Sequence, residues 1–168
     1  MLPIVLSSSA VSVGLAGAGD GLVRRRKLLD EAGIAPVLVA SDCTIEALGG
    51  IDTLLIAGLG RDTSERLAGL ARERGILVNV EDVPELCDFH IPAAIRRGDL
   101  VLTVSTGGMS PGLARLIREW LEHKIGVEWS GRLKEVASAR ARWRGEGHSA
   151  PDVARRTRDF VDAREWLP

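Results

Sequence analysis

The chain has 168 residues, 45% of them hydrophobic and 27% charged, with a formal net charge of −1. That is enough apolar length to bury one ordinary core, and too much for a disordered chain. A near-neutral total gives no whole-molecule attraction to nucleic acid, and no apolar run reaches the about 18 to 20 residues of a membrane span.

The N-terminal Met1-Leu2-Pro3-Ile4-Val5-Leu6 is apolar but has no basic residues before it and runs straight into three serines, which argues against a secretion signal. Val11 to Leu15 is a short apolar run stopped by glycines and reads as a buried strand. Gly21 to Ala32 has helical spacing, with Leu22, Leu28 and Leu29 on a shared side and Gly33 as its stop. Strands follow at Val37–Val39 and Thr53–Ala57, then a helix from Thr63 to Arg74, then a strand from Ile76 to Val80. Strands alternating with helices predict a parallel sheet of βαβ units, doubly wound because crossovers are right-handed.

The pattern then changes. Ile95–Arg97 and Leu100–Val104 flank Gly98-Asp99, a hairpin signal. Ser110-Pro111 reads as an N-cap with proline at the first helical position, opening a helix to about Ile125. That helix carries Leu113, Leu116, Ile117, Trp120 and Leu121 on one broad apolar face. Val127 to Arg144 forms a second helical stretch, and Ser149 caps a third with Asp152 in its first turn. Residues 1–112 hold 15 of the 19 glycines and 14 acidic against 10 basic residues, whereas residues 113–168 hold 9 acidic against 12 basic. The expected fold is α/β, a Rossmann-like parallel sheet with a C-terminal helical region. The expected division is residues 1–105, 106–147 and 148–168. Two cysteines, Cys43 and Cys87, stand in no metal-ligand spacing, so no resident metal site is expected and a reducing cytoplasm suits the chain.

Two segments carry chemistry. Gly17-Ala18-Gly19-Asp20-Gly21-Leu22 follows a strand and opens a helix, as a dinucleotide fingerprint does. The first glycine permits the tight turn, the second lets backbone N–H groups approach a pyrophosphate, and the helix N-terminus favours the anion. Leu22 stands where a small residue is usual, so either the helix sits wider on the sheet or Gly21 supplies the room. The same fingerprint expects an acid after the second strand. Ser41 and Asp42 lie there, and Asp42 serves either the ribose hydroxyls or the cap of the segment Thr44–Leu48. The run Arg24-Arg25-Arg26-Lys27 reads as a solvated helix face. The second segment, after the fourth strand, gathers Glu81, Asp82, Glu85, Asp88 and His90 where ligands meet open parallel sheets. Such a group suits proton transfer or transient metal contact, or merely caps turns.

Asn79-Val80-Glu81-Asp82 with Cys87-Asp88-Phe89, Ile91-Pro92-Ala93, Arg96-Arg97-Gly98, and Ser105-Thr106-Gly107-Gly108 with Ser110-Pro111 together resemble siroheme synthase. More narrowly, they resemble its precorrin-2 dehydrogenase/sirohydrochlorin ferrochelatase module, over roughly residues 1–125. The resemblance implies NAD-dependent oxidation of precorrin-2 to sirohydrochlorin, then Fe2+ insertion with iron as substrate. It implies a homodimer, with the C-terminal helical region as its dimerisation region, and a separate uroporphyrinogen methyltransferase supplying the substrate. It assigns Asp82 as the catalytic acid/base; Gly17, Gly19, Asp20, Gly21, Ser41 and Asp42 to NAD; and Ser105, Thr106, Gly107, Gly108, Arg96 and Arg115 to the tetrapyrrole, with Arg97 and Arg118 as further basic candidates. The chain departs from the family in the short stretch Cys43–Asp52, in Gly58-Leu59-Gly60-Arg61 where relatives carry Ala-Thr-Asp-Asp, and in His90. A chelatase without NAD, or a non-catalytic dimer binding nucleotide or tetrapyrrole, are the alternatives.

Overall fold

A computed structural model describes all residues, Met1–Pro168. They form two compact units, Met1–Ile91 and Pro92–Pro168.

The first unit is a four-stranded parallel sheet in the order β2-β1-β3-β4. Its strands are β1 (Val13–Gly17), β2 (Val37–Leu38), β3 (Thr53–Ala57) and β4 (Leu77–Val80). β1 runs in register with β3 from Val13↔Thr53 to Gly17↔Ala57, and β3 with β4 from Thr53↔Leu77 to Ile56↔Val80. Helix α1 (Gly19–Glu31) connects β1 to β2, and α2 (Arg61–Glu73) connects β3 to β4.

The sequence dictates this layering. β3 is an unbroken apolar run because both its faces are covered. Leu54 and Ile56 join Val78, Val80, Leu67, Ala68 and Ala71 in one core cluster, while Leu55 joins Val13, Leu15 and Leu29 in the other. Side chains alternate across the sheet, so successive residues of one strand feed two cores. α2 presents Leu67, Ala68 and Ala71 to the sheet, all fully buried.

β2 is shorter than the sequence implies. Only Val37 and Leu38 pair in the ladder, both exposed, although Val39 still donates to the Leu15 carbonyl at 3.0 Å. It is an edge strand entered from Pro36, which has no N–H to give. Ser41 and Asp42 therefore belong to a turn and not to a strand end.

The second unit opens with an antiparallel hairpin, β5 (Ala93–Arg97) and β6 (Leu100–Val104), turning at Gly98 with φ +60°. Helices α3 (Pro111–Lys124), α4 (Trp129–Gly145) and α5 (Ala150–Asp162) follow. Both expected caps form: Ser110 Oγ accepts from the Leu113 N–H at 3.2 Å and Ser149 Oγ from the Asp152 N–H at 3.3 Å. α4 and α5 close on Ala139, Trp143 and Val153, with Phe160 edge-on to Trp143. The hairpin groups with these helices, whereas the expected boundary at residue 105 had left it with the parallel sheet. Its strands pair only with each other, so it adds nothing to that sheet.

Candidate functional site

The dinucleotide turn is built by close backbone approach. A Cβ on Gly17 would lie 2.5 Å from the Ala57 carbonyl oxygen, and one on Gly21 would lie 2.8 Å from the Gly58 nitrogen. Gly21 therefore supplies the helix–sheet contact that Leu22 cannot. Gly19 has φ +54° and open space beside it. Gly58, in the departure after β3, also belongs to this contact: a side chain there would strike the Ala18 carbonyl.

α1 has no side-chain cap, and its first backbone bond runs from the Leu22 N–H to the Ala18 carbonyl at 3.3 Å. The N–H groups of Gly19, Asp20 and Gly21 are thus left for another acceptor. A pyrophosphate fits that donor set, with the helix end favouring its charge. Asp20 stands in the same first turn. Asp42 is exposed and makes no cap; the 3-10 turn Ile45–Leu48 begins from Thr44, whose hydroxyl donates to Glu46 at 2.6 Å. The carbonyls of Ser41 and Cys43 are held by the Arg66 guanidinium.

The acidic loop separates into different roles. Glu81 bonds Arg24 at 3.0 Å and lies 3.7 Å from Arg25, with its side chain 15% exposed. This pairing raises the Arg24 pKa, the Glu81 hydrogen bond being the main cause. Two of the arginines expected on a solvated face therefore tie α1 to the end of β4. Glu85 pairs with Arg61 at 3.0 Å, and its carboxyl is held below the ordinary range by its own backbone N–H first and Arg61 second. Asp88 pairs with Arg72 at 2.9 Å and accepts from the Val78 N–H at 2.9 Å. Asp82 alone among the four has neither an ion pair nor a side-chain hydrogen bond. It is exposed and holds φ +60°, a conformation that costs a non-glycine residue about 1 to 2 kcal/mol. His90 is exposed. No group of three or more His, Cys, Asp or Glu side chains is placed to hold a metal ion.

Two polar residues behind Asp82 received no role from the sequence. Asn79, 5% exposed, donates to the Phe89 carbonyl at 2.9 Å, and the Cys87 sulfur lies 3.3 Å from the Val80 nitrogen. An asparagine inside an apolar strand was the available signal.

In the second unit, the Ser105–Gly108 turn is largely self-satisfied. The Thr106 hydroxyl donates to the Ser110 carbonyl at 3.0 Å and accepts from the Ser110 N–H at 3.2 Å, while Ser105 Oγ accepts from the Gly107 N–H at 3.3 Å. Gly107 and Gly108 both have positive φ. Arg96 is exposed on β5. Arg97 instead donates to the Ile125 carbonyl at 2.9 Å, Arg115 pairs with Glu119 at 2.8 Å, and Arg118 pairs with Glu119 and Glu122. The apolar face of α3 is open: Leu116 is 64% and Trp120 60% exposed, beside exposed Leu113 and Ile117. Leu121 is half-buried. No helix is long and apolar enough to cross a membrane.

Residues 4–93 match the family described as "Putative NAD(P)-binding", and residues 97–124 match the family described as "Sirohaem biosynthesis protein central". The siroheme synthase of Methylococcus capsulatus is 33% identical over 163 residues, which are 85% of this chain and 34% of that protein. That of Nitrosococcus oceani is 34% identical over 157 residues, 82% of this chain and 33% of that protein. The chain thus spans about a third of the length of these relatives. Among solved structures, "SirC, precorrin-2 dehydrogenase" superposes with a TM-score of 0.78 at 21% identity, covering 100% of this chain and 93% of that one. An NAD(P)-binding segment followed by a sirohaem-biosynthesis segment, in one chain and in this order, makes the protein a member of the siroheme synthase N-terminal module family.

Proposed function

We propose that the chain oxidises precorrin-2 to sirohydrochlorin with NAD+. The observation that carries this reading is the isolation of Asp82. Glu81, Glu85 and Asp88 are each neutralised by an arginine, and Asp82 is left unpaired at the carboxyl end of β4. Glu81, its neighbour in sequence, reaches Gly21 in the first turn of α1, so this carboxylate belongs to the same sheet edge as the dinucleotide turn. NAD+ bound there supplies a hydride acceptor. Gly17, Gly19 and Gly21 admit its pyrophosphate, and the N–H groups of Gly19, Asp20 and Gly21 orient it. Ser41 and Asp42 face the ribose hydroxyls from the turn after β2. Asp82 accepts the proton that leaves the macrocycle, a role contributing about 10²–10⁴-fold in rate.

The tetrapyrrole is a polycarboxylate, so cations and close backbone should meet it. Arg96 is the cation most ready to do so. Arg115 serves by exchanging Glu119 for a substrate carboxylate, an exchange of small cost at an exposed pair. The Ser105–Gly108 turn, with two glycines at positive φ and Thr106 as its brace, offers backbone to the ring. In a following step Asp82 takes pyrrole protons while Fe2+, as substrate, enters. The α3 face of Leu113, Leu116, Ile117 and Trp120 is the contact of a homodimer. The precorrin-2 comes from a uroporphyrinogen methyltransferase, and two unpaired thiols suit the cytoplasm.

The test is anaerobic incubation with precorrin-2, NAD+ and Fe2+, following NADH and both tetrapyrrole products by absorbance. NADH formation in step with sirohydrochlorin is the expected result. Iron insertion into added sirohydrochlorin without NAD+ binding would instead make the protein a chelatase. Ligand binding with no turnover of either kind would make it a non-catalytic binding module.

A further inference from the structure

Cys87 is not used by the reaction proposed above, yet its sulfur sits inside the loop that carries Asp82. The Val80 N–H donates to it at 3.3 Å and Asn79 Nδ2 at 3.5 Å. Its S–H has two carbonyls within reach, that of Val80 at 3.2 Å and that of Val83 at 3.4 Å. Val80 and Val83 are the first and last residues of the turn whose third residue is Asp82. That turn is closed by a long backbone bond, Val83 N–H to Val80 carbonyl at 3.4 Å, and its second residue is tied to β3 by the Glu81 N–H to the Ile56 carbonyl at 2.9 Å. Asp82 contributes no side-chain hydrogen bond of its own, and its φ of +60° is a left-handed conformation that most side chains avoid and aspartate tolerates. The thiol touches both ends of the turn.

The thiol is itself fixed. The Cys87 N–H donates to the Pro84 carbonyl at 3.1 Å. Next to it, the Asp88 N–H donates to the Val78 carbonyl at 2.8 Å, and Asp88 Oδ2 accepts from the Val78 N–H at 2.9 Å. The segment Cys87–Asp88 thus closes the outer edge of β4 in place of a fifth strand, and the sulfur is carried on that closure. The thiol is a weak donor with a single S–H, given to one of the two carbonyls at a time, and a weak acceptor of the Val80 N–H and the Asn79 Nδ2–H.

We propose that Cys87 is a positioning residue. Its thiol locks the Val80–Val83 turn and so holds the Asp82 carboxylate where it accepts the substrate's proton. This rests on the assignment of Asp82 as that acceptor. The cofactor turn lies on β1 and α1 and is untouched by Cys87, so loss of the thiol affects turnover and not NAD+ binding.

The test compares the full-length wild type with Cys87→Ala and Cys87→Ser, and with Cys43→Ala as a control for loss of a thiol. Two readouts are taken: kcat and KM for NAD+ in precorrin-2 oxidation, and the backbone amide shift and order parameter of Asp82 by NMR without substrate. In Cys87→Ala, kcat should fall about tenfold to a hundredfold with KM for NAD+ unchanged, and the Asp82 amide should shift and lose order. Cys87→Ser, which keeps a donor and an acceptor, should recover most of both; Cys43→Ala should change neither. An unchanged Asp82 amide in Cys87→Ala overturns the proposal. So does a fall in kcat matched by a rise in KM and not rescued by serine. Absence of turnover in the wild type would instead refute the oxidation reading, and the NMR comparison would still decide whether Cys87 fixes Asp82.

Discussion

Gly17 and Gly19 stand two residues apart in one fingerprint, and the structure assigns them opposite sensitivities. An alanine methyl at Gly17 would come 2.5 Å from the Ala57 carbonyl oxygen. That oxygen already accepts from the Ala18 N–H at 3.1 Å, and β1 and β3 are locked in register through Gly17↔Ala57, so the neighbour cannot step aside. Overpacking of this kind costs about 1 to 3 kcal/mol, and backbone on both sides puts it at the upper end. An alanine at Gly19 meets no protein atom within 4 Å and carries only the penalty of its φ of +54°, about 1 kcal/mol. In a unit of this size 1 kcal/mol moves the melting temperature by about 4 to 8 °C. Urea and thermal unfolding should therefore rank Gly17→Ala well below Gly19→Ala. Binding should show the reverse severity per unit of stability lost. The Gly19 methyl would fill the space a pyrophosphate needs, losing charge-assisted hydrogen bonds and weakening NAD+ by about 10- to 100-fold in calorimetry. Gly17→Ala as stable as wild type would refute the packing argument. Gly19→Ala with wild-type NAD+ affinity would refute the placement of the cofactor on this turn.

Three further expectations follow from individual groups. Asp82→Asn keeps a residue that tolerates φ +60° while removing the charge, so turnover should fall about 10²–10⁴-fold with an unchanged melting temperature; Asp82→Ala should add a stability loss of about 1 kcal/mol, and an active Asn variant would remove Asp82 from the chemistry. Leu116→Asp, on the exposed face of α3, should give a monomer in sedimentation if that face joins two copies, and a wild type already monomeric at micromolar concentration would reject the dimer. Asp152 is held below the ordinary aspartate range by the Ser149 hydroxyl first, then by Arg155, His148 and Arg156. A depressed folded-state pKa contributes stability above the unfolded value of about 3.9 that is lost as pH falls through the folded value. Ser149→Ala should therefore raise the Asp152 pKa in an NMR titration and destabilise the protein at neutral pH. The deficit should narrow as pH falls below about 4 and on through the depressed folded-state value.

Much of the fold was legible because it is written in local pattern. The apolar run Thr53–Ala57 implies a strand covered on both faces, Gly98-Asp99 a hairpin, and Ser110-Pro111 and Ser149 helix starts; each is where it should be. The glycines of the fingerprint could be named in advance because a phosphate-cradling turn needs that residue type at that spacing, whereas Asp82 was singled out from its loop only by the family resemblance. The length of β2 could not, because an edge strand's extent depends on what its neighbour leaves to pair. Nor could the domain division, since a hairpin's partner is decided by long-range packing and nothing in residues 93–104 states it. Composition showed four acids after β4 and a basic run on α1 as separate, solvated groups. Only tertiary structure brought Glu81 to Arg24, Glu85 to Arg61 and Asp88 to Arg72, leaving Asp82 alone. An ion pair depends on distance in space between residues up to 57 positions apart in the chain, and no periodicity encodes that.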